Sequence, residues 1–352
     1  MSKISDIAEN KKQYDGITLT ERMKEYHTAA ISIALIKNYE ILDTYVYGVK
    51  RRVAKEKVTT DTLFQAGSIS KPVFAAAVLR LTERGTLNLD TDISEYLVDF
   101  KVPTYDNQNH KITLRQLLSH HAGLNLHGFA GYQQGQKTPT VQQILTGAYP
   151  ANNLKLKLMK APETGYQYSG GGYLLAQKIV TDVCQLNFCD LMNDLVLSPF
   201  SMMHSTYMQP LPKDKSSQIA FGYNHHNLQL PGGYNVMPEL SAAGLWTTPS
   251  DLARFGIEIM KALKNESTLF KKNTAKLMTT KAYENSPYGL GLAINQSKKG
   301  LTFGHGGSNF GYHSNMVFCP ADGSGIVVMQ NSDIGARLRD EVTNSFKEIY
   351  EW

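Results

Sequence analysis

Residues 63–81, "LFQAGSISKPVFAAAVLRL", set a serine three positions before a lysine and then continue apolar on every side. A segment without a polar face packs inside a protein rather than on its surface. Pro72 suits the first turn of a helix, where its missing N–H costs nothing, so the spacing predicts a buried helix beginning near Ser68, just after Gly67. Residues three apart on a helix have Cβ atoms about 5–6 Å apart, which brings the Lys71 amine within reach of the Ser68 hydroxyl. The positive helix end and partial burial both disfavour an ammonium there, making Lys71 a candidate base and Ser68 a candidate nucleophile. The same pair also fits a helix-capping serine with a lysine reaching out to water, so the rest of the chain has to decide.

Two further stretches supply what such a pair needs. "PETGYQYSGGGYLLAQKIV" places Tyr168 in a Gly-rich turn ahead of a helix, where its phenol can relay protons. Beside a lysine ammonium, the tyrosine's pKa is expected to fall, letting Tyr168 share the role of base; taken alone, it reads better as one more aromatic in a chain of 19 tyrosines. "LTFGHGGSNFGYHSNMVF" sets His305, Gly306 and Gly307 before a strand, and glycines there let a ligand approach backbone N–H groups. A glycine turn between strands explains that triplet equally well on local sequence. Glu163, five residues before Tyr168, reads as a turn residue in its Pro-Glu-Thr-Gly setting, and the loop 125–135 fits equally a cleft wall bearing Phe129 and Tyr132 or an ordinary packed loop.

Elsewhere "ISIALIKNYEILDTYVYGV" (31–49) reads as a hairpin turning at Asn38 to Glu40. Three more strands are expected at 288–294, 313–319 and 325–330. A closing helix follows, with Ile334, Leu338, Val342, Phe346 and Ile349 on one face. The interval from 69 to about 280 shows helical periods, with Thr113 and Thr248 as cap residues. These patterns give an α+β fold: an antiparallel five-stranded sheet formed by both chain termini, flanked by helices, with an inserted mainly helical lobe. The expected division is one catalytic domain over 1–352, with a sheet lobe at about 1–67 and 281–352 and a helical lobe at about 68–280. The cleft is expected between the lobes.

These segments together resemble the β-lactamase and penicillin-binding-protein superfamily of serine hydrolases, especially its class C β-lactamase and related esterase branch. "FQAGSISK" matches the SxxK motif, "YSG" at 168–170 the tyrosine motif, and "HGG" at 305–307 a KTG-like triplet. "RGTLNLDTDISEYL", "ITLRQLLSHHAGL" and "AAGLWTTPSDLARF" stand in the order expected of that branch. The resemblance implies Ser68 as nucleophile, Lys71 and Tyr168 as the proton-transfer pair, and the N–H groups of Ser68 and Ser308 as an oxyanion hole. It implies an acyl-enzyme on Ser68, a small ester, amide or lactam as substrate, and no cofactor or metal. Two positions depart from the pattern. Gly170 stands where the tyrosine motif usually ends in an asparagine that holds a substrate amide, and His305 replaces a permanently charged lysine. Both tilt the reading from β-lactams toward esterase or peptidase chemistry. The other reading is a non-hydrolytic ligand-binding protein on the same scaffold.

Composition narrows the field further. The 36 basic and 31 acidic residues of the 352 are spread without blocks, so the net +5 does not describe a nucleic-acid stripe. Cys184, Cys189 and Cys319 form neither a CxxC pair nor an even disulfide set, though a 184–189 bridge stays open. No run approaches a membrane span, and "MSKISDIAENKKQYDG" lacks an apolar leader region, so the cytoplasm is the default expectation unless an export segment was removed. The His120-His121 and His225-His226 pairs lack ligand spacing and acidic partners, and read as loop or packing histidines rather than zinc ligands.

Overall fold

The computed structural model describes residues 17–352; the stretch "MSKISDIAENKKQYDG", which carries the expectation about a leader, lies outside them. Its strands are β1 (Ala30–Lys37), β2 (Glu40–Arg51), β3 (Glu56–Lys57), β4 (Phe64–Gln65), β5 (Tyr132–Gln133), β6 (Asn235–Val236), β7 (Trp246–Thr247), β8 (Ala293–Ser297), β9 (Gly300–Asn309), β10 (Tyr312–Cys319) and β11 (Ser324–Gln330). Seven of them form one antiparallel sheet in the order β3-β2-β1-β11-β10-β9-β8. The first hairpin turns through Asn38 and Tyr39, both at positive φ, the conformation that matches the twist of two paired strands.

The sheet therefore has seven strands where the sequence pattern gives five. The additions are the short edge strand β3 and, more important, β9, whose glycines hide it from any propensity reading. A Cβ at Gly304 would lie 2.1 Å from the Met316 carbonyl oxygen, so this strand needs its glycine to pair closely. Residues 288–292 are not strand. Leu290 N–H donates to Leu277 O and Gly291 N–H to Leu118 O, so their backbone groups bond to the helical region instead.

Successive residues of β1 point to opposite faces of the sheet, and both faces are covered. Ile31, Ile33 and Leu35 pack with Leu338, Val342 and Phe346 of the closing helix Ala336–Ile349. The other face meets helix Pro249–Leu263, where a Cβ on Gly256 would sit 2.1 Å from the Phe318 ring. Thr248 caps this helix and Thr113 caps Leu114–Leu118, as their sequence positions indicate. All three cysteines are free thiols. Among the described residues, no helix is long and apolar enough to cross a membrane.

The stretch quoted at the outset forms a 3-10 turn, Gly67–Ile69, followed by the helix Ser70–Glu83. Ser68 thus stands in the tight turn before the helix rather than at its first position. The Ser70 hydroxyl fastens this turn, donating to Gly67 O at 2.6 Å and accepting the Leu245 N–H at 3.0 Å. Every residue from Ser70 to Leu79 is buried, and the Phe74 ring packs on Phe188 and Tyr173 with centroids 5.7 and 6.3 Å away. Phe74→Ala is expected to lower unfolding free energy by about 3–5 kcal/mol, read from denaturant midpoints.

Candidate active site

Ser68 is half-buried, and Lys71 beside it is only 1% exposed. The Lys71 Nζ lies 3.1 Å from Ser68 Oγ and donates to the carbonyl oxygen of Ala242 at 2.8 Å. The rings of Tyr168 and Tyr173 stand 5.0 and 5.8 Å from the same nitrogen. Burial penalises the ammonium and lowers the Lys71 pKa to about 7, so a neutral amine with a free lone pair is available near neutrality.

Two ties bring Ala242 to this place. β4 pairs with β7, and the Ala66 N–H donates to Leu245 O at 2.9 Å, joining the turn before Ser68 to the segment after Ala242. Ser241 N–H donates to Gln177 Oε1 at 2.8 Å and its hydroxyl to Tyr173 O at 3.0 Å, fixing the short helix Leu240–Ala243 against helix Gly170–Cys184.

Tyr168 immediately precedes Ser169, the N-cap of that helix, and its phenol interacts with the Ser68 side chain. Its pKa is raised above the usual phenol range, which corrects the expectation that Lys71 would lower it. Burial among other phenols outweighs the opposite influence of the Ser68 side chain, and the Lys71 amine is itself close to neutral. Tyr168 is therefore a protonated phenol.

His305 and Gly306 lie on β9 where the register with β8 has ended at Gly304, so this edge of the strand has no neighbour in the sheet. The edge approaches the Ser68 turn. A Cβ on Gly67 would be 2.5 Å from Ser308 N, and one on Gly307 would be 1.9 Å from Ala66 O, so both glycines are required by close backbone contact. The His305 ring is buried, with its Nδ1 donating to Gly306 O at 2.6 Å and its Nε2 3.5 Å from the Tyr288 hydroxyl. Burial and nearby Lys71 drive its pKa down to about 3, so His305 is neutral at ordinary pH. Gly170 opens its helix, and a Cβ there would meet the Phe129 ring at 2.9 Å. The space an asparagine side chain would take is occupied by that ring. Glu163 is a turn residue at positive φ, accepting from Gln116 Nε2 at 2.8 Å and from the Tyr283 hydroxyl at 3.2 Å.

Tyr288 and His120 were not legible as site components. Tyr288 contacts His305, and burial pushes its phenol up to about 12. His120 packs its ring 4.2 Å from that of Tyr168. The signal available for His120 was the segment "LRQLLSHHAGL" itself, which gives no hint of which histidine turns inward.

A family model described as Beta-lactamase matches residues 18–344. Protein flp of Staphylococcus aureus (strain MW2) is 27% identical over 334 residues, covering 92% of this chain and 63% of that protein. The chain thus spans just under two thirds of that relative's length. The octameric penicillin-binding protein homologue from Pyrococcus abyssi has a similar fold, with a TM-score of 0.78 and 22% identity over 94% of this chain and 76% of that one. So does D-amino acid amidase from Ochrobactrum anthropi SV3, complexed with L-phenylalanine amide, with a TM-score of 0.77 and 20% identity over 99% of this chain and 100% of that one. With the match running from residue 18 through the Ser68 turn and into the closing helix, the chain belongs to the Beta-lactamase family.

Proposed function

We propose that this chain is a serine hydrolase that forms an acyl-enzyme on Ser68 and acts on small neutral esters and amides. The observation that carries the reading is a buried amine, Lys71 Nζ, 3.1 Å from Ser68 Oγ, with a pKa near 7. As Ser68 Oγ attacks the substrate carbonyl, its proton passes to Lys71. The N–H groups of Ser68 and Ser308 hold the oxyanion. Tyr168, protonated, gives its proton to the leaving group and regains one from Lys71, after which water releases the acyl group by the reverse relay. The 1–352 chain acts as one catalytic unit, with its cleft between the β9 edge and the helical segment.

Substrate class follows from His305 and Gly170. A neutral His305 offers no cation to the carboxylate that penicillins carry, and Phe129 fills the space of an amide-binding side chain at Gly170. Short esters and neutral amides meet no such obstacle, and the fold shared with a D-amino acid amidase supports adding amino-acid amides, which also lack a carboxylate, to the substrate class.

A fluorophosphonate is expected to add one adduct on Ser68, seen by intact mass and peptide mapping, and p-nitrophenyl acetate is expected to turn over faster than a cephalosporin. Unchanged labelling or turnover in Ser68→Ala would sink the proposal, and faster cephalosporin hydrolysis would sink the substrate assignment. Acylation should also depend on pH with a definite sign. The neutral fraction of Lys71 grows as pH rises, so kcat/KM should climb with pH and level off above an apparent pKa near 7, a limb that Lys71→Met removes.

A further inference from the structure

We infer that His120 is the positioning residue that aims the Tyr168 phenol at Ser68, an inference that rests on the acyl-enzyme reading above. His120 follows helix Leu114–Leu118 in a left-handed backbone conformation and is 1% exposed. It grips Tyr168 from both sides along the chain. Its carbonyl oxygen accepts the Gln167 N–H at 2.8 Å, and its ring Nδ1 accepts the Ser169 N–H at 3.0 Å. Its ring also lies against the Tyr168 ring, centroids 4.2 Å apart and planes 30° from parallel, while His127 covers Tyr168 at 4.8 Å. One residue thus fixes both peptide neighbours of Tyr168 and one face of its ring.

The tautomer follows from these bonds. Nδ1 accepts, so the ring proton sits on Nε2, and protonating Nδ1 would set two donors against each other at Ser169. Burial, with Lys71 near, holds the His120 pKa well below its ordinary value, so the ring stays the neutral acceptor that this arrangement needs. His121, its neighbour in sequence, faces away: its Nδ1 bonds Ser119 O at 2.8 Å and its ring packs on Tyr283. A phenol that must meet a leaving group gains from such fixing, because misplacement by about 1 Å costs on the order of 100-fold in rate.

The test is a double-mutant cycle on p-nitrophenyl acetate hydrolysis with His120→Phe, Tyr168→Phe and the double variant. His120→Phe keeps a flat ring and loses the acceptor; kcat is expected to fall about 10–100-fold with KM held within about threefold. In the Tyr168→Phe background the same change should have no further effect, because a residue acting through the phenol has nothing left to position. His120→Asn, whose Oδ1 stands where Nδ1 was, should recover most of the loss. Equal effects of His120→Phe in both backgrounds, or a His120→Asn variant as slow as His120→Phe, would overturn the inference. If His120→Phe does not fold, His120→Leu takes its place in the cycle. Fluorophosphonate labelling of Ser68 in the wild type separates the two levels: without it the hydrolase reading fails and the inference with it, whereas labelling with an additive cycle overturns the inference alone.

Discussion

A lysine amine held out of water against a serine, with one backbone carbonyl as its remaining partner, is the contact on which this architecture turns. Burying a charged group costs several kcal/mol even after relaxation, so the environment selects the neutral amine near pH 7 instead of surrounding an ammonium with acids. Three distant segments cooperate to hold it. The helix Ser70–Glu83 carries Lys71, the short helix Leu240–Ala243 presents the Ala242 carbonyl, and helix Gly170–Cys184 anchors that carbonyl through Gln177 and Tyr173. The β4–β7 pairing draws the first two together, so the sheet-like ties of the helical region matter as much to the site as the large sheet does.

Burial also divides the labour between the two proton-bearing groups in the proposed mechanism. The desolvation that lowers Lys71 raises Tyr168, because in each case it is the charged form that loses its water. A neutral amine beside a neutral phenol is a base beside an acid, ready to pass a proton in one direction and return it in the other. The ring cluster of His120, Tyr173 and Tyr288 around Tyr168 supplies the dry surroundings. It also removes charge from His305, and with it the electrostatic attraction for a substrate carboxylate.

Opposite the helix, the strand that completes the site is built by subtraction. Gly307 and Gly67 permit backbone approaches that no side chain would allow, and β8 stops pairing at Gly304 so that the next residues keep a free edge. Glycine is a poor strand former in isolation, and here that weakness is what lets the sheet edge come up against the nucleophile turn.

The order of Ser68, Lys71, Tyr168 and the 305–307 triplet, the hairpin at 31–49, the capped helices and the apolar stripe of the closing helix are all written locally, because each depends on spacing along a few turns or one strand. The sequence by itself determined the α+β class and the meeting of Lys71 with Ser68. What only the tertiary structure decided depends on contacts between residues far apart in the chain. The ionisation of Tyr168 and His305 depends on how much water is excluded around them; the strand character of 300–309 depends on its neighbours, not on its glycines. The inward turn of His120 rather than His121 depends on a backbone bond to a residue 49 positions away. No periodicity encodes these, since desolvation and long-range hydrogen bonding exist only once the chain has closed on itself.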